Sequence, residues 1–357
     1  MKAVDRRRGP RRIAVAGAAI LVVMVAGCGS GSEPDDAAPD STVVVVPTST
    51  TTPAPSTTGS TTSPAESAVP PNSTPFVDGG DPRRAEQWAV EQLDLPAIWP
   101  HASGVGVVVA VVDTGVDLDH PDLAGKLVAG IDLVDGDGRP DDSNGHGTHV
   151  AGIVAATTGN GVGVSGVAPG AKIMPVRVLG DDGVGDDATI AEGIDWAVAN
   201  GADVVNLSLG MSGVVARLAK GGPLNPAIRR AEAAGVVVVA AAGNEGQTRR
   251  VYRLGVPVLV VNAVGSDGVV AEFSNVGDAR AVAAPGVDIL STVPDGYDVL
   301  SGTSMAAPIV SGTVALLVGQ GRSGPDSVDR LVATATNPSG DPALGAGMVD
   351  PKAALDL

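Results

Sequence analysis

Between residues 105 and 264 the chain alternates valine-rich runs with helix-like segments, and that alternation narrows the fold more than any other feature. Val105 to Val112 is almost unbroken valine ahead of the turn Asp113-Thr114-Gly115. An apolar run without an in–out rhythm is the pattern of a strand buried on both faces. The same reading gives strands over Lys172 to Val178, Val204 to Leu209, Val236 to Ala241 and Val258 to Val264. Helices are expected after His146, over Ala188 to Asn200, over Asn225 to Ala234 and after Ser304, with a short helical pattern from Trp88 to Trp99. Strands that take turns with helices predict an α/β fold: a central, mostly parallel, twisted sheet with helices on both faces. No internal repeat is visible.

The folded domain is placed at 76–357, with its ordered start near Asp81. Residues 1–27 read as a signal peptide: a basic start (Lys2, Arg6, Arg7, Arg8, Arg11, Arg12), then an apolar stretch from Ile13 to Val25 that is short for a membrane span. Val25-Ala26-Gly27-Cys28 resembles a bacterial lipobox, in which the cysteine is lipidated and becomes the mature N-terminus. A plain secretory peptide cut near Gly27 is the alternative. The Arg11-Arg12 pair leaves the export route open between the general and twin-arginine pathways. Residues 28–75 form a linker, and 24 of the 35 residues from Ser41 to Pro75 are Ser, Thr or Pro. Such a segment buries no core, and at about 3.1 Å per residue it reaches on the order of 140 Å when extended. It reads as a stalk between a lipid anchor and a domain held off the cell surface; a leader that is clipped away is the alternative.

Cys28 is the only cysteine, so no intramolecular disulfide forms. Without residues 1–27 the net charge is −22, which argues against nucleic acid as a partner. No later segment is long and apolar enough to span a bilayer.

Three glycine-rich motifs carry the chemistry: Val111-Val112-Asp113-Thr114-Gly115, Asn144-Gly145-His146-Gly147-Thr148-His149, and Gly302-Thr303-Ser304-Met305-Ala306-Ala307-Pro308. A serine becomes a nucleophile when a base removes its proton, and the base needs an acid to orient it. Asp113 closes a strand, and sites in open α/β sheets lie beyond the carboxyl ends of strands. Glycines on both sides of His146 leave the ring accessible at a helix start. His149 shares its helical face, but the spacing is not that of a zinc-binding His-Glu-x-x-His. Ser304 opens a helix whose free N–H groups favour developing negative charge. Asn244, in Ala240-Ala241-Ala242-Gly243-Asn244-Glu245-Gly246, is a side-chain amide of the kind that stabilises an oxyanion.

In this combination the motifs resemble the subtilisin-like serine peptidases, the subtilases, over about residues 81–357. The resemblance implies the subtilisin-like fold and a serine endopeptidase that needs no cofactor for catalysis. It makes Asp113 the orienting acid, His146 the base, Ser304 the nucleophile and Asn244 an oxyanion donor, with His149 in packing. It implies that a peptide substrate lies between two edges: Gly183-Val184-Gly185 on one side, Ser208-Leu209-Gly210 and Ala241-Ala242-Gly243 on the other. It also implies Ca²⁺ as a structural ion, held by Asp81, Asp122, Asn160 and the carbonyls of Val162 and Val164, with a weaker second group at Asp132, Asp135, Asp137 and Asp141. Oxygen ligands of this kind suit Ca²⁺. A monomer tethered through Cys28 to the cell membrane is expected, or a secreted one without the anchor. A processing peptidase of a secretion system and an inactive scaffold on the same fold are the competing readings.

Two features stand apart from the family. No folded propeptide fits between Cys28 and Asp81: either folding is unassisted or residues 76–100 serve as a short N-terminal wrap. Four carboxylates, Asp181, Asp182, Asp186 and Asp187, flank Gly183, and Arg249, Arg250 and Arg253 follow Asn244. The resemblance implies that these loops border the pockets for side chains upstream of and just before the cut; if the charges face the substrate they select basic side chains upstream and an acidic one just before it, and otherwise they are solvated loop charges.

Overall fold

The computed structural model describes residues 80–209, 222–248, 255–278 and 280–357. Seven strands form one parallel sheet: β1 (Val108–Asp113), β2 (Ile131–Asp132), β3 (Lys172–Arg177), β4 (Val204–Leu207), β5 (Val237–Ala241), β6 (Val258–Val264) and β7 (Ala281–Pro285). Their order across the sheet is β2-β3-β1-β4-β5-β6-β7, with every pairing parallel. A two-stranded antiparallel hairpin, β8 (Ile289–Val293) with β9 (Gly296–Leu300), stands apart from it.

Successive side chains of β1 go to opposite cores. Val109 and Val111 join one apolar cluster, Ala110 and Val112 the other. This two-sided burial is why valine runs on without alternation. The first cluster lies under α3 (His146–Ala155), α6 (Thr303–Gly319) and α7 (Gly324–Thr334). The second lies under α4 (Asp187–Ala199) and α5 (Leu224–Ala233). The expected fold class, a parallel α/β sheet with helices on both faces, is therefore the observed one.

The element edges shift by small amounts for local reasons. β1 starts at Val108 rather than Val105, because Gly104 and Gly106 turn the chain with φ of 78° and 85° and leave Val105 exposed. α4 starts at Asp187 because the Asp186 carboxylate caps it, accepting from the N–H groups of Ala188 and Thr189. The helical stretch after Trp88 is two short helices, α1 (Trp88–Gln92) and α2 (Leu95–Ile98), broken at Asp94 with φ 52°. This N-terminal wrap is pinned by Gln87, whose amide donates to the Ser165 carbonyl and accepts from the Ser165 N–H, and by the Trp88 indole on the Val287 carbonyl. Among the described residues no single helix is long and apolar enough to cross a membrane.

His149 is fully buried, held between α3 and the hairpin with Nε2 donating to the Asp298 carbonyl at 3.2 Å. Burial pushes its pKa from 6.5 down to about 4, with the nearby His146 adding in the same direction. A folded-state pKa below the unfolded value contributes stability above about pH 6.5 that is lost as pH falls towards 4. The full effect is about 3 kcal/mol. Thermal midpoints measured between pH 7 and pH 4.5 should fall less steeply in His149→Gln than in the parent chain. Parallel curves would remove His149 as the source.

Candidate active site

The carboxyl ends of β1, β4 and β5 all open on one edge of the sheet, and the start of α6 reaches that edge from the core. Asp113 is the last residue of β1 and fully buried. Its Oδ1 accepts from the Thr114 N–H at 2.8 Å and from His146 Nδ1 at 2.7 Å. Its Oδ2 is buried without a hydrogen bond, so among the described residues the imidazole is the one side chain bonded to this carboxylate.

His146 opens α3 after Gly145, whose φ of 100° favours glycine. Gly147 is held to glycine by contact: a Cβ there would lie 2.0 Å from the Gly115 carbonyl oxygen. The Asp113 turn and the helix start are thus pressed together with no room for a side chain between them. Burial works against the charged imidazole. The charge and hydrogen bond of Asp113 outweigh it, Asp142 adds to them, and the His146 pKa ends above its ordinary value. The ring is still 27% exposed, towards the cleft.

Ser304 is the second residue of α6 and lines the same open cleft of about 770 Å³ as His146, Asn144, Leu179, Gly183 and Asn244. Its hydroxyl donates to the Ser208 carbonyl at 3.1 Å, while the Ser208 hydroxyl donates to the Ser304 carbonyl at 2.8 Å. Behind this reciprocal pair, Asn206 Nδ2 donates to Ser208 Oγ and the Ser311 hydroxyl donates to Asn206 Oδ1, both at 2.8 Å. Asn244 Oδ1 accepts from the Thr303 N–H at 2.9 Å and lies 3.0 Å from the Thr303 hydroxyl. With its oxygen taken, the Asn244 amide presents Nδ2 towards Gly302, where a Cβ would sit 3.4 Å away.

The remaining expected residues fall around this edge. Gly183 lines the cleft, but Val184 is turned outward, 67% exposed. The Val184 N–H donates to Asp182 Oδ1 and its carbonyl accepts from the Gly180 N–H, so both of its backbone groups are engaged within the loop. Gly185 packs close on the Val178 carbonyl. Ser208 and Leu209 follow β4 and are buried; Gly210 lies outside the described residues. Ala241 ends β5, while Ala242 and Gly243 are tied down through their carbonyls by Asn275, from its Nδ2 and its N–H respectively. Sequence reading missed Thr303, Asn275, Asn206 and Ser311. Thr303 was within reach, since it stands next to Ser304 in the same motif.

The flanking charges serve the fold. Asp181 pairs with Arg177 at 2.9 Å, Asp186 caps α4, Asp187 is buried and Asp182 closes its own turn. Arg249, Arg250 and Arg253 lie outside the described residues, as do Cys28 and the stretch before residue 80.

The expected metal ligands gather in one place. Asp81 Oδ2 accepts from the Gly159 N–H at 2.8 Å and the Ser165 hydroxyl at 2.7 Å. Asp122 Oδ1 accepts from Asn160 Nδ2 and Oδ2 from the Val164 N–H, both at 2.8 Å. Asn160 Oδ1 faces the Val162 N–H. Burial pushes the Asp122 pKa up, and Asp81 adds to that. Among the described residues no group of three or more His, Cys, Asp or Glu side chains collects into a metal cluster. In the second acidic group, Asp132 and Asp135 both pair with Arg177 at 2.6 Å, so these two carboxylates are already engaged by a guanidinium.

Comparison with known proteins agrees with this geometry. The model of the subtilase family matches residues 104–347. Thermitase of Thermoactinomyces vulgaris is 45% identical over 245 residues, which span 67% of this chain and 84% of that protein. Subtilisin DY of Bacillus licheniformis is 43% identical over 260 residues, 70% of this chain and 91% of that protein. Among solved structures, a protease from Pseudoalteromonas arctica PAMC 21717 superposes with a TM-score of 0.70 at 37% identity, covering 78% of this chain and 99% of its own. A seven-stranded parallel sheet, an acid–imidazole pair facing a helix-borne serine, and a family match across the whole of that sheet together make this chain a member of the subtilase family and a serine endopeptidase.

Proposed function

We propose that Asp113, His146, Ser304 and Asn244 are the machinery of peptide hydrolysis in this chain. The observation that carries the reading is the 2.7 Å bond from His146 Nδ1 to buried Asp113, which fixes the tautomer and leaves Nε2 free towards the cleft of Ser304. When substrate binds, the Ser304 hydroxyl turns from the Ser208 carbonyl to Nε2. Its oxygen attacks the scissile carbonyl carbon as the proton passes to His146. The resulting oxyanion is held by Asn244 Nδ2 and the backbone N–H of Ser304. His146 then returns the proton to the leaving amine, and an acyl-enzyme remains. Water adds to the ester by the same proton route in reverse, which frees Ser304. The peptide lies extended between the Gly183-Val184-Gly185 loop and the Ser208-Leu209-Gly210 and Ala241-Ala242-Gly243 segments, gripped through those main-chain groups that are not already engaged within the protein. With the acidic loop groups used internally, apolar rather than basic side chains are expected upstream of the cut.

The same reading places the domain on the outer face of a cell membrane, exported by residues 1–27, lipidated at Cys28 and lifted by the Ser/Thr/Pro-rich linker. It also includes a structural Ca²⁺. Asp81 and Asp122 are two buried carboxylates that form no ion pair among the described residues, and the Asn160 amide and the Val162 and Val164 carbonyls belong to the loop that wraps them. This donor set fits a hard oxygen-seeking cation, which would tie the N-terminal wrap to the loop after α3.

Three measurements test this. Ser304→Ala should abolish both peptide hydrolysis and labelling by a fluorophosphonate with the fold intact, and Asn244→Ala should lower kcat by about 100- to 1,000-fold with KM little changed. Full labelling of Ser304→Ala would end the assignment. Cys28→Ala should move the protein from the membrane fraction to the medium; retention after a high-salt wash would remove the lipid anchor. Chelator should lower the thermal midpoint of the parent chain and leave that of Asp122→Ala unchanged, since a ligand held only by the native state stabilises it. A midpoint indifferent to chelator in the parent would exclude the ion.

A further inference from the structure

One buried charge close to the cleft has no part in the chemistry above. The carboxylate of Asp142 is 6% exposed and accepts five hydrogen bonds, all from neutral groups. Its Oδ1 takes the Thr114 hydroxyl at 2.9 Å, the Asn144 N–H at 3.0 Å and the Gly145 N–H at 2.8 Å. Its Oδ2 takes the N–H and hydroxyl of Thr148 at 2.8 and 2.6 Å. These donors bracket His146 on both sides along the chain. Two of them are relays: Thr114 Oγ1 accepts from the Gly147 N–H at 3.0 Å, and Thr148 Oγ1 accepts from the Asp117 N–H at 2.8 Å.

The arrangement does two things. Gly145, at the N-cap of α3, has no side chain to cap with, and Asp142 supplies that function from three residues upstream. It also joins the loop carrying Asp113 to the turn carrying His146 through one carboxylate, so the distance between acid and base is held from behind as well as by their own bond. A full negative charge inside the protein, at the positive end of a helix, favours positive charge on a neighbouring imidazole.

We propose that Asp142 is a positioning residue for the peptidase reaction, locking the Asp113 loop to the first turn of the His146 helix and favouring the imidazolium that forms as Ser304 gives up its proton. The proposal rests on the reading of His146 as the base. The other titratable groups around the helix start are Asp113 on β1, His149 on α3, Asp117 and Asp141 on the flanking loops and Asp298 on the hairpin; among the described residues only Asp113 bonds the ring. The direction of the His146 shift, to which Asp142 contributes, agrees.

The test is the pH profile of kcat and kcat/KM on a chromogenic peptide amide, using the full chain and its Asp142→Asn, Thr148→Val, Asp142→Glu and His146→Ala variants. Asp142→Asn removes the charge at nearly constant shape. It should lower kcat by on the order of tenfold with KM little changed. It should also move the acid limb to lower pH by about half a unit, because the imidazolium loses a supporting charge. Thr148→Val keeps the carboxylate and should leave the limb in place. Asp142→Glu decides the matter if Asp142→Asn does not fold: the charge is kept and the geometry disturbed, so kcat falls while the limb stays. A folded Asp142→Asn with an unmoved limb, or a limb that moves in Asp142→Glu, overturns the proposal. If His146→Ala is inactive and Asp142→Asn matches the parent chain, this proposal fails and the base assignment stands. An active His146→Ala overturns both.

Discussion

The burial of helix α6 between sheet and α3 sets the position of everything at the cleft. Every residue from Thr303 to Leu317 is buried, although the helix contains Ser304, Ser311 and Thr313. Polar groups at such depth are tolerable only when each finds a partner. Ser311 finds Asn206, Asn206 finds Ser208, and Ser208 and Ser304 exchange bonds. A satisfied polar chain inside an apolar core fixes one axial register of helix against strand, because a slide by one residue would orphan several groups at once. Ser304 is therefore placed by the interior of the molecule, while the loops above it shape what it meets.

The part of this that was legible in the sequence is the part encoded locally. Valine runs announced the inner strands because two-sided burial needs no alternation, and β6 has the bounds read from its sequence, Val258–Val264. β7 (Ala281–Pro285) went unread because its alanines carry little strand signal, and β9 because Gly296–Leu300 is half-exposed and mixed in polarity. Asp113, His146, Ser304 and Asn244 stood out because each sits among glycines that chain geometry alone seldom asks for in such number. Asp142, Asn206, Thr303 and Asn275 did not stand out. Thr303 stands beside Ser304, and Asp142 bonds mostly to near neighbours, but the links that give Asp142 and Asn206 their place span 28 residues from Thr114 to Asp142 and 105 from Asn206 to Ser311, and no local pattern marks those.

The carboxylates around Gly183 show the opposite error. Read along the chain they form a cluster of negative charge at a substrate edge. In three dimensions one pairs with Arg177, one caps α4, one closes a turn and one is buried. Arg177 is the reason: a single guanidinium, itself buried, collects Asp132, Asp135 and Asp181 and joins the edge of the sheet to the loop beside the cleft. Charge that looks available for recognition is already committed to holding the loop in shape.

The strand order has a consequence for the life of the chain before it is complete. Asp113 lies on β1, an inner strand of the sheet, yet Ser304 follows β9, the last strand to be made. Between them the sheet must add strands on both sides of β1, each through a crossover that brings distant segments together, a slow topology to assemble. Until α6 has inserted beneath that sheet, Asp113, His146 and Ser304 belong to separate pieces of polypeptide. Completion of the fold is therefore what first brings Asp113, His146 and Ser304 to one edge of the sheet.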